Sequence, residues 1–173
     1  GPTVKNSLPR GSALPTSVAV LPADYSGEIP RERIDLVRNA IMSGLRNQNF
    51  VVVEDKVIQA VCSTPQCPER DRLVRDYLVD SFATITLDSF SKNNFIAGYF
   101  NELHGKLTIT DVKGKELTTI DHTETESGGV LLQSGQVFQG IISQVKHSRD
   151  SAFEDLADNF AKAVVEKLPP HAG

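Results

Sequence analysis

The clearest hydrophobic pattern in the chain lies in residues 103–126. In its first half, apolar or small residues alternate with polar ones, which is typical of a strand with one buried face. Asp111-Val112-Lys113-Gly114 then supplies turn chemistry, because the carboxylate accepts backbone N–H bonds and the glycine takes a positive φ at little cost. A Thr-rich run follows and suits a second strand. The pattern predicts a β-hairpin whose buried side carries Leu103, Gly105, Leu107 and Ile109.

The first third of the chain predicts a βαβ unit. Residues 17–21 are almost wholly apolar and end at Pro22, as expected of a strand that is buried on both faces. Residues 31–47 carry apolar side chains at helical spacing, and residues 50–54 form a β-branched and aromatic run that favours a strand. A strand, a helix and a strand of these lengths predict a parallel pair with a right-handed crossover.

The remaining elements turn this unit into a mixed sheet. A capping box at Ser151-Ala152-Phe153-Glu154 begins a closing helix, whose apolar face runs to Leu168 before two prolines. We therefore predict an α/β (mixed α+β) fold: a five-stranded mixed sheet with a βαβ start, an antiparallel meander and flanking helices. The other predicted elements are helices at 55–60 and 69–79, a strand at 82–87, a polar break at 89–94 and a fourth strand from Phe95 into the hairpin.

Length and charge limit the class of protein. The 173 residues fit one ordinary domain, which we place at residues 17–170, and we expect residues 1–16 to be a flexible lead because they lack periodicity. Gly1-Pro2 is typical of the pair left when a protease removes an expression tag, so we expect any native export signal to be missing from this sequence. The apolar runs are shorter than the roughly 20 residues of a membrane-spanning helix. A net charge of -4 without a basic stripe argues against nucleic-acid binding.

Cys62 and Cys67 are the two cysteines of the chain, in a loop that also holds two prolines. Two thiols cannot hold a structural zinc ion alone, and their spacing is not the C-x-x-C of redox enzymes. We expect a disulfide between them, which indicates an oxidising compartment. The alternative is two unrelated reduced thiols in a cytosolic protein.

Residues 130–145 combine clustered large apolar residues with an uncharged Gln- and Ser-rich background. A stripe of this kind, without a charged opposite face, is costly to leave in water. It is either one more core helix or a contact with a partner or a second copy of the chain, and both interpretations stay open. The residues of this candidate interface are Val130, Leu131, Leu132, Val137, Phe138, Ile141 and Ile142.

His104 and His122 are the candidates for a metal site. In a tight hairpin they lie nearly opposite each other on the outward face, beside Glu102 and Glu124, and such a set suits zinc. A one-residue change of register separates them, so we prefer a solvated strand face and predict no metal and no cofactor.

The other histidines, His147 and His171, are expected in solvent. The chain contains no Gly-x-Ser-x-Gly, and Gln133-Ser134-Gly135 lacks the strand–turn–helix setting that exposes a nucleophilic serine. Its glycines match neither dinucleotide-binding nor P-loop spacing. We therefore do not expect an enzyme.

Several segments together resemble one protein family. They are the strand that ends in Leu21-Pro22, the cysteine loop, the hairpin around residues 107–117, and the Ser-Gly-Gly-Val-Leu-Leu run at residues 127–132. These segments are similar to the periplasmic lipoprotein domains of the TolB N-terminal/CsgG-like superfamily, which has PelC-like and neisserial-type lipoproteins among its members. The resemblance covers about residues 17–168. It implies a mixed sheet flanked by helices, an outer-membrane anchor on an upstream lipidated cysteine, and a role in assembly or export.

Three functional hypotheses follow. The first is an oligomeric structural or assembly accessory of an outer-membrane export or surface-assembly system. It would lie on the periplasmic side of the outer membrane and contact itself or an export protein through the sheet edge and residues 130–145. The second is a monomeric periplasmic module that docks on a cell-wall enzyme and activates it. The third is a metal-binding protein or enzyme that uses the His104/His122 strand face.

Overall fold

A computed structural model of the chain describes residues 1–96, 98–129 and 153–173. It confirms the predicted mixed α/β fold, with helices on both faces of a mixed sheet. None of the helices in these residues is long and apolar enough to cross a membrane. The strands are β1 (Thr3–Asn6), β2 (Ser17–Val20), β3 (Asp24–Tyr25), β4 (Val51–Val52), β5 (Ser81–Phe95), β6 (Gly98–Asp111) and β7 (Glu116–Gly129), and the helices are α1 (Arg31–Asn47), α2 (Asp55–Val61), α3 (Arg70–Tyr77) and α4 (153–166).

The strands form one sheet in the order β1-β7-β6-β5-β2-β4, with β3 paired to β5 beyond the end of β2. β2 lies between β4 and β5 and runs parallel to both, so the predicted parallel pair is confirmed. β5, β6 and β7 form the predicted antiparallel meander. Two strands were not predicted: β1, which lies antiparallel to β7 at one edge, and β3.

β2 is apolar after Ser17 because both of its faces are covered. Val18 and Val20 are fully buried in a large core shared with α1 and α4. Ala19 and Leu21 point to the opposite face and join a smaller core with α2 and α3. Alternate side chains of a strand enter different layers, so a strand inside a three-layer fold cannot show polar alternation.

The larger core is closed by α1 and α4, which lie side by side on one face of the sheet. α1 has the predicted bounds and buries its apolar stripe, including Ile34, Ile41 and Leu45. The two helices approach closely at Gly44, where an added Cβ would lie 3.3 Å from Val165. Each fully buried side chain of this kind stabilises the fold by about 1.5–3 kcal/mol relative to an exposed one.

Gly105 allows α4 to pack directly on β6. A Cβ at this position would lie 2.7 Å from the backbone oxygen of Thr86 and 3.1 Å from the ring of Phe160. The glycine inside the alternating pattern of β6 therefore marks a close approach between strand and helix.

The predicted hairpin of β6 and β7 is confirmed. The Oδ1 atom of Asp111 accepts hydrogen bonds from the backbone N–H groups of Lys113 and Lys115, both at 2.9 Å. Gly114 has φ +87°, which is the conformation that the sequence analysis assigned to it. Leu103, Leu107 and Ile109 are buried, as the alternation predicts.

Two strand predictions were wrong in extent. Residues 89–94 are not a break, because β5 continues through them after a bulge between Leu87 and Ser89 and turns into β6 near Ile96. Residues 50–54 supply only the two-residue strand β4. The side chains of residues 89–94 are partly or fully exposed, and Phe50 is buried although it lies outside β4, so side-chain polarity was a poor guide to backbone pairing in both places.

The N-terminal residues differ from the expected flexible lead. Thr3–Asn6 pairs with β7 in a defined register, and the backbone N–H of Ser7 donates to Leu117 O at 2.8 Å. Leu14 is fully buried and is held on both sides by backbone bonds to Pro170 and Ala172. The lead is thus tied to the domain at two points, although the side chains of β1 and of most of residues 7–13 are exposed.

Candidate functional site

An open cavity of about 760 Å³ lies at the carboxyl end of β2, between the start of α1 and the disulfide loop. The connections from β2 to β4 and from β4 to β5 pass over opposite faces of the sheet, and this arrangement makes the end of β2 a switch point of the kind where α/β folds bind ligands. Acidic and basic side chains are mixed in the lining, so the cavity does not select one sign of charge. Its polar lining is formed by Asp24, Tyr25, Arg31, Asp35, Arg38, Gln59 and Ser63.

Arg38 organises the floor of this cavity. Its Nε donates to Leu21 O at 3.2 Å and its Nη2 donates to Val20 O at 2.6 Å. Its Nη1 bonds and pairs with the carboxylate of Asp55, the first residue of α2. Only 9% of its side chain is exposed, so the guanidinium group joins β2, α1 and α2 inside the protein.

A second polar group lies on the opposite side of the meander from α4. His104 contacts two carboxylates: its Nδ1 is 3.1 Å from Asp88 Oδ2, and its Nε2 is 2.7 Å from Asp121 Oδ1. Asp88 occupies the bulge of β5, and Asp121 lies on β7, so the histidine links three neighbouring strands. When the ring is protonated, both N–H groups donate to a carboxylate, which favours a fixed register of the meander.

His122 does not lie beside His104. In the register of the hairpin, His104 pairs with Thr123 and His122 pairs with Gly105, so the two rings point to opposite faces of the sheet. His122 is buried against the ring of Phe160, with 5.8 Å between ring centroids, and its Nε2 is 2.9 Å from Glu124. The paired arrangement considered for zinc was therefore wrong, and no group of three potential ligands assembles a metal site among the described residues.

Carboxylates gather near the beginning of α4. Burial, together with the neighbouring carboxylates of Asp155 and Glu124, raises the pKa of Glu126. Asn101 lies on the same face of β6, opposite Glu126, and is almost fully buried. The carboxylates of Glu124, Glu126 and Asp155 form a negative patch near the Gly129 end of β7.

The predicted disulfide is present between Cys62 and Cys67. Both residues are buried in the smaller core together with Leu73 and Phe82. A buried disulfide of this kind fixes the loop between α2 and α3 and suits an oxidising compartment. The candidate interface of residues 130–142 lies outside the described residues.

The two edges of the sheet are chemically different. At one edge, β4 exposes 62% of Val51. At the other, β1 carries Lys5, whose Nζ is 3.4 Å from Glu116 Oε2. The hydroxyl of Thr119, which donates to the Glu116 carboxylate, and the Lys5 ammonium group hold the pKa of Glu116 below its usual value. An apolar and a charged edge on one sheet are the two unlike surfaces that head-to-tail association needs.

His171 is not simply in solvent, contrary to the sequence analysis. Its ring lies 4.4 Å from the ring of Phe50, measured between centroids, and its Nε2 is 2.7 Å from Gln48 O at the end of α1. The C-terminal tail also forms a parallel bridge with Leu14. His147 lies outside the described residues.

Comparison with known proteins gives structural matches alone. No protein-family model matches the chain, and a search of curated proteins gave no match. Among solved structures, the PelC dodecamer from Paraburkholderia phytofirmans matches with a TM-score of 0.58 and 12% sequence identity over 99% of this chain and 100% of that chain. The described residues therefore share the fold of PelC.

A second match is the lipoprotein GNA1162 from Neisseria meningitidis. Its TM-score is 0.51, with 15% identity over 79% of this chain and 99% of that chain. At these identities the similarity establishes a shared fold. It agrees with the lipoprotein-like resemblance of the sequence.

Two residues of these sites escaped the sequence analysis. Arg38 lies inside the apolar stripe of α1, next to Val37 and one helical turn from Ile34 and Ile41, and a charge at such a position signals a buried partner. Asp88 had no such signal, because its position depends on the bulge in β5.

Proposed function

We propose that the chain is the folded domain of a bacterial cell-envelope lipoprotein. It associates with copies of itself and serves as a structural accessory of an outer-membrane export or surface-assembly system. The observation that carries this proposal is the fold shared with PelC along both chains, because the PelC structure is a dodecamer. The fold shared with the lipoprotein GNA1162 supports the same class of protein.

Two features of the chain support the proposal independently of those matches. The buried Cys62–Cys67 disulfide suits the periplasm, where such bonds persist. The unlike edges at β4 and β1 suit a head-to-tail contact, which closes into a ring when the rotation between neighbours is a simple fraction of a turn. The domain acts by binding in this account, and no chemical step is assigned to it.

Light scattering of the purified protein at micromolar concentrations tests self-association. We expect one discrete oligomer that is larger than a dimer. A monomer at every concentration overturns the proposal and favours the monomeric module that docks on a cell-wall enzyme.

A pair of matched variants tests the β4 edge. Val51→Asp places a charge on the exposed apolar residue of that edge, and Val112→Asp places the same charge on a 38% exposed residue of the β6–β7 turn. We expect Val51→Asp to dissociate the oligomer and Val112→Asp to leave it intact, with unchanged circular dichroism in both. If both variants dissociate the oligomer, or if neither does, the β4 edge is not part of the interface.

A further inference from the structure

β1 is attached to the domain almost entirely through its backbone. Its four residues, Thr3–Asn6, are all exposed, and each is paired with a residue of β7. Val4, which faces the side of the larger core, is still 42% exposed. A strand that buries so little side-chain area loses little when it leaves one sheet edge for an identical one.

The contacts that define the register of β1 are also made with β7. Lys5 pairs with Glu116 at 3.4 Å, and Thr118 Oγ1 donates to Lys5 O at 3.3 Å. Ser7 extends the ladder through its bond to Leu117. The sequence of β1 is thus already the complement of this edge, and a second copy of the chain is the partner that supplies the same four residues in the same register.

The connection between β1 and the core has the form of a hinge. Residues 7–13 are exposed except for a half-buried Leu8, and Gly11 takes a positive φ of 82° in a turn closed by the bond from Ser12 N to Pro9 O. Leu14 is the fixed point, since it is fully buried and bonded to the C-terminal tail. The arm therefore begins at Leu14, and Leu8 is the residue of this connection that packs against the larger core.

The strand order determines the distance that this arm must span between Leu14 and β7. β7, β6 and β5 lie between β1 and β2, so the arm crosses four strand spacings, or about 19 Å. The eight steps from Leu14 to Asn6 extend to about 28 Å at most. The arm is therefore long enough to reach its own β7, with about 9 Å to spare.

We propose that β1 is an exchanged arm, which in the assembled protein pairs with β7 of a neighbouring copy instead of its own. This inference rests on the self-association proposed above and names the contact that produces it. The root of the arm lies beside β2 and β4, while its receptor lies at the β7 edge, so each copy donates at one side and accepts at the other. Such exchange is directional and builds a head-to-tail ring.

Cysteine trapping distinguishes exchanged from closed arms. Lys5 and Thr119 are register partners, and opposite residues of paired antiparallel strands lie within disulfide reach. Lys5→Cys and Thr119→Cys chains are unfolded, mixed, refolded together and oxidised with glutathione disulfide, then separated on a non-reducing denaturing gel. We expect a covalent product that contains one chain of each variant. The control mixes Lys5→Cys with Lys56→Cys on the exposed surface of α2, and we expect no product above background.

The double variant Lys5→Cys/Thr119→Cys distinguishes exchanged arms from closed arms by the size of the covalent product. Exchanged arms link the chains into a covalent ladder, whereas closed arms give single chains with an internal bond. If light scattering shows an oligomer and the double variant yields only single chains, exchange is wrong and self-association stands. If the protein is monomeric, both proposals fall.

A shortened hinge provides a test that does not depend on cysteine chemistry. Deleting residues 9–12 leaves four steps between Leu14 and Asn6, or about 14 Å, which is too short for the 19 Å crossing to the chain's own β7. We expect the oligomer to persist and to dissociate more slowly on dilution, since only exchanged pairing remains. Loss of the oligomer in this variant, with the fold retained, contradicts the proposal.

Discussion

The removal of Arg38 tests how the cavity end of the fold is held together. In Arg38→Met the side chain keeps a similar length but loses all donors, so Val20 O and Leu21 O lose their guanidinium partners in the interior. Each unsatisfied buried acceptor costs about 1–3 kcal/mol. Asp55 is 28% exposed and can turn to water, so it adds little. We expect a loss of about 3–5 kcal/mol in the free energy of unfolding, the usual cost of breaking a buried pair.

Urea denaturation followed by far-ultraviolet circular dichroism measures this change. With a slope of about 2 kcal/mol per molar urea, the midpoint should fall by roughly 2 M. Arg46→Met is the matched control, because Arg46 is an exposed arginine in the last turn of the same helix and should change stability by about 0.5 kcal/mol or less. Arg38→Lys should recover part of the loss, since lysine donates but lacks the planar fork. If Arg38→Met and Arg46→Met are equally stable, the reasoning about the buried guanidinium is refuted.

Three further predictions concern packing, the disulfide and pH. Gly105→Ala should destabilise the protein by about 1–3 kcal/mol, because its Cβ meets backbone at 2.7 Å, while Gly27→Ala, with no atom within 4 Å, should be close to neutral in the same urea assay. Replacing Cys62 and Cys67 together by alanine should cost about 2 kcal/mol, the chain entropy of a short loop, and reductant should then have no further effect on the unfolding midpoint. Glu126→Gln should raise the melting temperature at pH 7 but not at pH 4. The folded state raises the pKa of this carboxyl above 4.5, mainly through burial. The charged form is therefore disfavoured in the folded protein, and the wild type loses stability as the pH rises above 4.5.

Each of these predictions has a clear contrary result. Equal stability of the Gly105 and Gly27 variants would show that Gly105 is not in close contact with β5 and α4. Two free thiols in the mass spectrum of protein purified from the periplasm would contradict the disulfide. A melting temperature of Glu126→Gln that exceeds the wild type equally at pH 4 and pH 7 would show that the gain does not come from the charge.

Elements that bury a stripe of side chains could be predicted from the sequence. α1 has the predicted bounds of residues 31–47 because its apolar spacing has to match the sheet beneath it. The β6–β7 turn was predictable because Asp111 and Gly114 satisfy the backbone locally. In both cases the cause of the structure lies within a short stretch of chain.

Elements held by distant backbone pairing could not be predicted in the same way. β1 exposes all four side chains, so its sequence shows no alternation, and its strand conformation comes from β7, more than 110 positions away. The polar stretch 89–94 likewise reads as a loop but is a strand paired with β6. Strand formation depends on the neighbour as much as on the local residues.

The candidate sites show the same division. The Cys62–Cys67 pair is local and was predicted, while the face on which His122 lies depends on the hairpin register, which the sequence left uncertain by one residue. The partners of His104 depend further on the bulge at Asp88. Arg38 was the one long-range feature with a usable signal, a charge within an apolar helical stripe.

Native mass spectrometry of the purified protein at low micromolar concentration tests the central claim most directly. We expect one dominant species whose mass is an integral multiple of 18.9 kDa, with more than two copies of the chain. The same species should lose its discrete mass in the Val51→Asp variant and keep it in Val112→Asp. A spectrum that contains only the 18.9 kDa chain across the concentration range would contradict the account.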